Sequence, residues 1–428
     1  MTQNKPSQLA RDLISRANRV LPGGSLGNLG GDLLIDRGEG GRVWDVSGNE
    51  YVDYLLGSGP MIVGHSHPEV LAAVRQQLDK GTTFFAGNEH AIELAEEIVR
   101  AVPCAEQVRF VSTGSEATLY AMRAARAFRG RDKILKLEGG FHGMNDYALM
   151  SVFPTDPPDF PQAAPGSAGI PSAVQESMLI APFNDLETTT AIIDRHHDEL
   201  GGIIVEPIQR VLPPAPGFLE GLREISEHYG IPLIFDEIVT GFRVAYGGAQ
   251  EYFGVTPDLC TLGKAATGGF PLAAVAGKSE IMSHMDANSV PSESFLPQIG
   301  TLSGNPIAAV AGLKTLEILR REGTYERLAA TGQRLLDALQ QLLEQAEIPA
   351  KVMGHSTFFD VYFTDSEITD YRSTLLADTS KLAQFNSVLR SEGVIKGSPK
   401  FYVSTAHTDD DLSRTFGAFE RVVDQLRE

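Results

Sequence analysis

Residues 201–238 read GGIIVEPIQRVLPPAPGFLEGLREISEHYGIPLIFDEI. Two short apolar runs, IIV and LIF, flank a segment, GFLEGLREISEHYG, that reads as a helix. Neither run alternates apolar with polar residues, which is the pattern of a strand covered on both faces. Strand, helix and strand in succession point to an α/β domain with a mainly parallel sheet. The same rhythm extends outward on both sides. QVRFVST (107–113) precedes the helix SEATLYAMRAARAFRG (115–130), KILKLEGGF (133–141) follows, and LAAVAG (272–277) comes later. The N-terminal side differs. Residues 7–20 read as a helix, LPGGSLGNLGGDL (21–33) as loop, and residues 33–55 as a small antiparallel meander. HPEVLAAVRQQLDKG and NEHAIELAEEIVRAV are helices. After Ala308 come two long helical patterns, strands within 348–365 and 393–408, and a closing helix from Thr408. The expected organisation is a large domain over 66–307 and a small α+β domain built from both chain ends, 1–65 and 308–428.

The chain has 428 residues, 42% hydrophobic and 21% charged, with a net charge of −19. An acidic surface argues against general binding to nucleic acid or anionic lipid, both of which reward positive charge. Two cysteines, Cys104 and Cys260, form no CxxC pair, so a structural metal site is not expected, and a reducing cytoplasm is the expected compartment. No window approaches the ~20 continuous apolar residues of a membrane span. Residues 152–172, VFPTDPPDFPQAAPGSAGIPS, hold six prolines and no periodicity. A segment of this kind is either a binding loop or a tolerated surface excursion; its position soon after Phe141 favours a gate that closes over substrate.

The chemistry begins at the strand ends. Asp236 closes LIFD, and the ends of strands in open parallel sheets form ligand crevices. A carboxylate in an apolar setting needs a partner, and a protonated ring nitrogen is one. Lys264 lies in TLGKAATGGF (261–270), among small residues with no acid nearby. Small neighbours leave room for an aldehyde to reach the amine, and desolvation favours the neutral, nucleophilic form. An acid for a pyridinium and a lysine for a Schiff base are the polar groups that pyridoxal phosphate requires. Gly114 and Ser115 stand where a strand turns into a helix, a place suited to phosphate. Phe141, between glycines, is an aromatic able to lie flat on a ring. Glu206 ends another strand. Singly, each has an ordinary reading: a turn-capping aspartate, a surface lysine, a helix N-cap, a core aromatic, a carboxylate held by backbone donors.

Taken in order, these motifs with GHSHPEV (64–70), LEGGFHG (137–143), PGFLEGLRE (216–224), TGFRVAYGGAQEYFGVTPDLCTLGK (240–264) and GTLSGNP (300–306) resemble the class III pyridoxal-phosphate-dependent aminotransferases. Within that family they are most similar to the glutamate-1-semialdehyde 2,1-aminomutase branch. The resemblance spans about residue 30 to the C-terminus. It implies fold type I, a seven-stranded sheet and pyridoxal 5'-phosphate. It implies Lys264 as the Schiff-base lysine and proton shuttle, Asp236 holding the ring nitrogen protonated, and Ile238 and Phe141 on the two ring faces. Gly114 and Ser115 would bind the phosphate, and His142 and Glu206 would complete the cofactor contacts. Thr301 would reach the phosphate of a neighbouring subunit, which implies a homodimer.

Four departures bear on the reaction. GGSLGNLGGDL lacks the arginine that aminomutases carry after their N-terminal glycines, Ser58 stands where they have tryptophan, and IQRVLP replaces their AGNMG-like stretch. GSPKFYVSTAHT is shorter than their C-terminal segment and resembles that of β-amino-acid aminotransferases. The expectation is therefore an amino group moved from a β- or ω-amino acid, or an amine, to a keto acid or aldehyde acceptor. Intramolecular aminomutase chemistry is the alternative, and a decarboxylase, a racemase or an idle binding protein are more distant ones. Arg210 is the best-placed group for a substrate carboxylate, because guanidinium and carboxylate pair bidentately. Lys400 and Lys396 are alternatives that read more readily as solvated surface cations. Ser25, Asn28 and Ser58 are candidate hydrogen-bonding groups.

Overall fold

The computed structural model describes residues 6–398 and 400–427. Near the N-terminus β1 (Ile35–Glu39), β2 (Arg42–Asp45) and β3 (Glu50–Tyr54) form an antiparallel meander. The main sheet is built from β4 (Gln107–Val111), β5 (Lys133–Leu137), β6 (Met178–Ala181), β7 (Leu200–Val205), β8 (Leu233–Glu237), β9 (Leu259–Leu262) and β10 (Ala273–Gly277). Its seven strands run in the order β4-β10-β9-β8-β7-β5-β6. All neighbours are parallel except β10, which is antiparallel to both β4 and β9. Four more strands follow: β11 (Lys351–His355), β12 (Phe358–Tyr362), β13 (Val394–Lys396) and β14 (Phe401–Tyr402). β11, β12 and β14 make a three-stranded sheet.

The apolar runs behave as their lack of alternation requires. Every residue of β7 and β8 is buried. Ile203, Val205, Leu233 and Phe235 belong to one core cluster. Ile204 and Ile234 belong to the opposite one, with Ala117, Ala121 and Ala125 of the helix Gly114–Arg129. Alternate side chains leave a strand on opposite faces, so only a two-sided core satisfies a continuous apolar run. Gly202 lets that helix lie close, because a Cβ there would stand 2.9 Å from Ala125 Cβ. Each buried aliphatic side chain contributes about 1.5–3 kcal/mol.

The two chain ends meet. β13 pairs in parallel with β3, so residues near 52 and 394 share a four-stranded sheet. The last residue of β13 makes a buried ion pair, Lys396 Nζ to Asp360 Oδ1 at 2.8 Å, with side chains 1% and 5% exposed. Lys396 also donates to the carbonyls of Gly397 and Ser398. The surface reading of this lysine is therefore wrong. It is a structural cation that ties β12 to the turn after β13 and is committed to a carboxylate of its own chain.

Among the elements with no counterpart in the sequence reading are β6, the helix Leu186–His196 and the helix Thr379–Ser391. The run MLIA of β6 is four residues long, too short for any period to register. Among the described residues no helix is long and apolar enough to cross a membrane.

Candidate active site

The carboxyl ends of β4, β5, β7, β8 and β9 open onto one cavity of about 370 Å³. Gly114, Ser115, Phe141, His142, Glu206, Arg210, Asp236, Ile238 and Lys264 line it, and Ser58 and Lys400 close it from the two chain ends. A larger groove of about 1050 Å³ lies elsewhere, lined by Phe85, Ile92, Phe110 and Ile299. It lacks the convergent strand-end groups, so size alone does not locate the chemistry.

Asp236 is 5% exposed and heavily coordinated. Thr261 Oγ1 donates to its Oδ1 at 2.9 Å, as does the Ile238 N–H at 3.1 Å. His142 Nδ1 lies 2.8 Å from its Oδ2. Among the described residues no lysine or arginine forms an ion pair with it. The other ring nitrogen of His142, Nε2, is buried without a partner. The carboxylate is thus held rigidly, with its charge left for a further cation to answer.

Lys264 begins a short 3₁₀ turn directly after β9. Its φ of 43° lies in the left-handed region, an uncommon and strained choice for a lysine and of a kind that clusters at functional sites. Ala265, Ala266 and Thr267 behind it are buried. Burial pushes the amine pKa below the ordinary lysine value; Lys400 and Arg243 add to the lowering, while Tyr402 and Asp236 oppose it.

The helix Gly114–Arg129 starts with a capping box, Thr113 and Glu116 exchanging backbone and side-chain hydrogen bonds. That satisfies the Glu116 N–H and leaves the first helical N–H groups, those of Gly114 and Ser115, without intrahelical acceptors. A Cβ on Gly114 would approach Ile238 Cδ1 to 3.2 Å, and one on Gly263 to 3.1 Å. The two glycines make the cradle in which the isoleucine lies. Phe141 faces the same cavity, and its N–H donates to Glu206 Oε2 at 2.8 Å. One oxygen of Glu206 is therefore spent on the backbone, as the ordinary reading of that residue allows.

Lys400 is 5% exposed, which overturns its reading as a surface cation. Its ammonium lies 5.4 Å from the Phe358 ring centroid and 5.9 Å from that of Tyr402. Burial pushes its pKa down to about 8, against the raising influence of Glu206. Arg210 occupies the tip of a tight turn, Gln209 and Leu212 exchanging backbone hydrogen bonds, with a left-handed φ of 62°. Among the described residues it has no carboxylate partner, and its guanidinium lies over Phe141 and Phe153.

Besides Lys396, three sequence candidates lie outside this cavity. Ser25 and Asn28 sit in the N-terminal loop, and Asn28 is exposed. Thr301 is exposed, between residues 300 and 303 that line the larger groove. Other residues reach the site without having been singled out. Thr261 grips Asp236, and its neighbour in the TLGK stretch was the available signal. Arg243 is fully buried behind Tyr402, donating to the carbonyls of Gly59 and Val239. No sequence signal marks it as interior.

The class III aminotransferase family matches residues 28–423. The chain is a class III aminotransferase. Its cofactor is pyridoxal 5'-phosphate, and the residues present fit that group: a buried carboxylate with no lysine or arginine against it, a desolvated lysine, a helix N-terminus and two apolar walls around one cavity. The aminotransferase is 40% identical over 389 residues to a glutamate-1-semialdehyde 2,1-aminomutase from Natranaerobius thermophilus, covering 90% of this chain and 89% of the relative. It superposes on an omega-transaminase from Sphaerobacter thermophilus with a TM-score of 0.93 at 35% identity, over 99% of each chain. A β-phenylalanine aminotransferase from Variovorax paradoxus gives a TM-score of 0.86 at 27% identity, over 98% of this chain and 94% of that one. The aminotransferase is therefore an α/β enzyme of fold type I, as the sequence motifs imply.

Proposed function

We propose that the enzyme transfers an amino group between molecules, from a β- or ω-amino acid or an amine to a keto acid, and that Arg210 receives the carboxylate of such substrates. The observation that carries this reading is the unpaired guanidinium of Arg210 in the cavity wall, held in a strained turn. Strain of this kind persists where the surroundings enforce it, and it clusters at functional sites. The bound cofactor supplies an electron sink that eases removal of a proton from the carbon bearing the nitrogen. The chain's own residues do the rest. Lys264, whose charged form burial disfavours, would hold the cofactor's aldehyde carbon and then move a proton at Nζ. Asp236, fixed by Thr261, His142 and the Ile238 N–H, holds a proton at the ring nitrogen. Gly114 and Ser115 hold the phosphate through backbone donors and the helix dipole. Phe141 and Ile238 would shield the cofactor's ring from water, and Glu206 fixes the loop that carries Phe141. Lys400 adds positive charge from the opposite wall, and Ser58 leaves that wall small.

The intramolecular alternative is favoured by the 40% identity to an aminomutase. A panel of amino donors, followed by visible absorbance of the bound cofactor, decides between the two. Conversion by β- or ω-amino acids, with stalling when no acceptor is present, supports the transaminase. Response to C5 diamino or amino-aldehyde compounds alone would restore the mutase. In the same assay Arg210→Gln should raise KM for carboxylate donors about 10- to 100-fold, the worth of a charged hydrogen-bonded pair. Donors without a carboxylate should be unaffected; equal effects on both classes refute the role of Arg210.

The working form is proposed to be a homodimer. Phe85, Ile92 and Ile299 are large, apolar and 59–78% exposed around the larger groove. Contiguous apolar surface of this kind marks an interaction face. A second copy covering it would carry Thr301 towards the phosphate of the first. Light scattering should give twice the 46.2 kDa chain mass, and Ile299→Asp should shift the mass towards the monomer. A monomer at micromolar concentration would rule the arrangement out. Both cysteines are free and buried, which suits a reducing cytoplasm.

A further inference from the structure

The proline-rich segment 152–172 is not a loose flap. Tyr371 Oη donates to the Pro154 carbonyl at 2.9 Å, and Arg372 Nη2 donates to the Pro158 carbonyl at 2.6 Å. The Arg372 guanidinium lies over the Phe160 ring, 4.1 Å from its centroid. Ser151 and Ala164 close the base of the segment, backbone to backbone at 2.6 Å and N–H to hydroxyl at 3.0 Å. Arg372 is itself locked bidentately to Glu138, Nε to Oε2 at 2.8 Å and Nη2 to Oε1 at 3.1 Å. Glu138 is 2% exposed, so this is an inner anchor. The expectation of a gate that closes over substrate gives way to a strap fixed at several points.

The same Glu138 also fixes the turn that carries Arg210. Its backbone carbonyl accepts from Gln209 Nε2 at 2.8 Å. Strap and turn are therefore registered against one residue, and what they bring together is Phe153 and Arg210. The guanidinium carbon of Arg210 lies 4.8 Å from the Phe153 centroid and 5.1 Å from that of Phe141. The two rings stand 6.5 Å apart with planes inclined by 39°. They form a notch that receives the cation while leaving it without a carboxylate. A guanidinium over aromatic faces is attracted by the ring quadrupoles and keeps its N–H edge free for an anion. An arginine ordered in advance loses less side-chain entropy when a carboxylate arrives.

We propose that Phe153 is a specificity-determining residue: held by the Tyr371–Arg372 clamp, it orders Arg210 and so favours carboxylate-bearing amino donors over donors that lack the carboxylate. This deepens the proposed function and rests on its assignment of Arg210.

The test uses the holoenzyme and two donors of one carbon skeleton, with and without a carboxylate. Phe153→Leu is expected to raise KM for the carboxylate donor about 5- to 10-fold, the worth of a cation–π contact plus ordering, with kcat changed less than about 2-fold. KM for the other donor should move less than about 2-fold. Phe153→Tyr, which keeps a ring, should restore the preference. A simple carboxylic acid, tested as a non-reacting competitor by calorimetry, should bind Phe153→Leu more weakly by the same factor. Phe153 is 56% exposed, so an unchanged unfolding temperature will exclude a folding defect. Equal rises for both donors, or no rise for either, overturn the proposal. If Arg210→Gln has lost the preference and Phe153→Leu has not, this inference fails alone. If Arg210→Gln keeps the preference, the assignment of Arg210 fails first.

Discussion

Lys264→Ala should leave a folded enzyme that turns over at least about 10⁴-fold more slowly, the upper range for one positioned acid–base group and here joined to loss of the nucleophile. The variant removes the amine at the end of β9 and nothing that the core depends on. The left-handed φ of 43° is no easier for alanine, so backbone strain stays as it was. Lys264→Arg is the informative companion. It places a permanent positive charge at the site and offers no neutral amine at working pH. Single-turnover kinetics on the reconstituted variants, with visible absorbance to report covalent attachment of the cofactor, provide the measurement. A Lys264→Ala enzyme within about tenfold of the parent rate would show that another amine does this work, and buried Lys400 would then be the first to examine.

The second large effect is expected at Asp236. Asn is close to it in size and keeps an oxygen for Thr261 Oγ1 and the Ile238 N–H. It cannot carry the negative charge proposed to stabilise a proton on the cofactor's ring nitrogen. Loss of that charge in a buried, preorganised site should slow turnover by about 10²–10³-fold, the cost of deleting one electrostatic stabiliser. The change should fall on kcat and kcat/KM together, since the interaction strengthens as charge develops. Thermal unfolding separates this from a packing effect, because an amide also alters the hydrogen bond with His142 Nδ1. Unimpaired kcat in a correctly folded Asp236→Asn would remove the reason for placing the ring nitrogen there.

Much of the main domain was legible because its signals are local. Continuous apolar runs declare two-sided burial, and Glu206, Asp236 and Lys264 all follow such runs. The crevice then places them side by side. What stayed hidden is set by distant partners. Lys396 and Lys400 look like surface charges because a lysine on either side of the turn-like GSP of VIKGSPKFY says nothing about depth. Their burial comes from β12 and from the aromatic rings of Phe358 and Tyr402. The strap reads as a flap because its clamps come from Tyr371 and Arg372, some two hundred residues away. The reversed direction of β10 likewise depends on where the chain crosses the sheet, which LAAVAG does not encode. Arg243 is the hardest case. It is a cation stabilised by carbonyls and a ring in place of an acid, so no charge pattern announces it.

The pairing of Val52 with Val394 has a consequence for biosynthesis. A ribosome delivers the meander about 340 residues before its partner strand, so the wall bearing Ser58 and Lys400 is the latest part of the pocket to be erected. Closing a contact across so much intervening polypeptide is slow compared with forming local ones. Until the residues around Lys400 emerge, Lys264 and Asp236 stand on a half-open shelf.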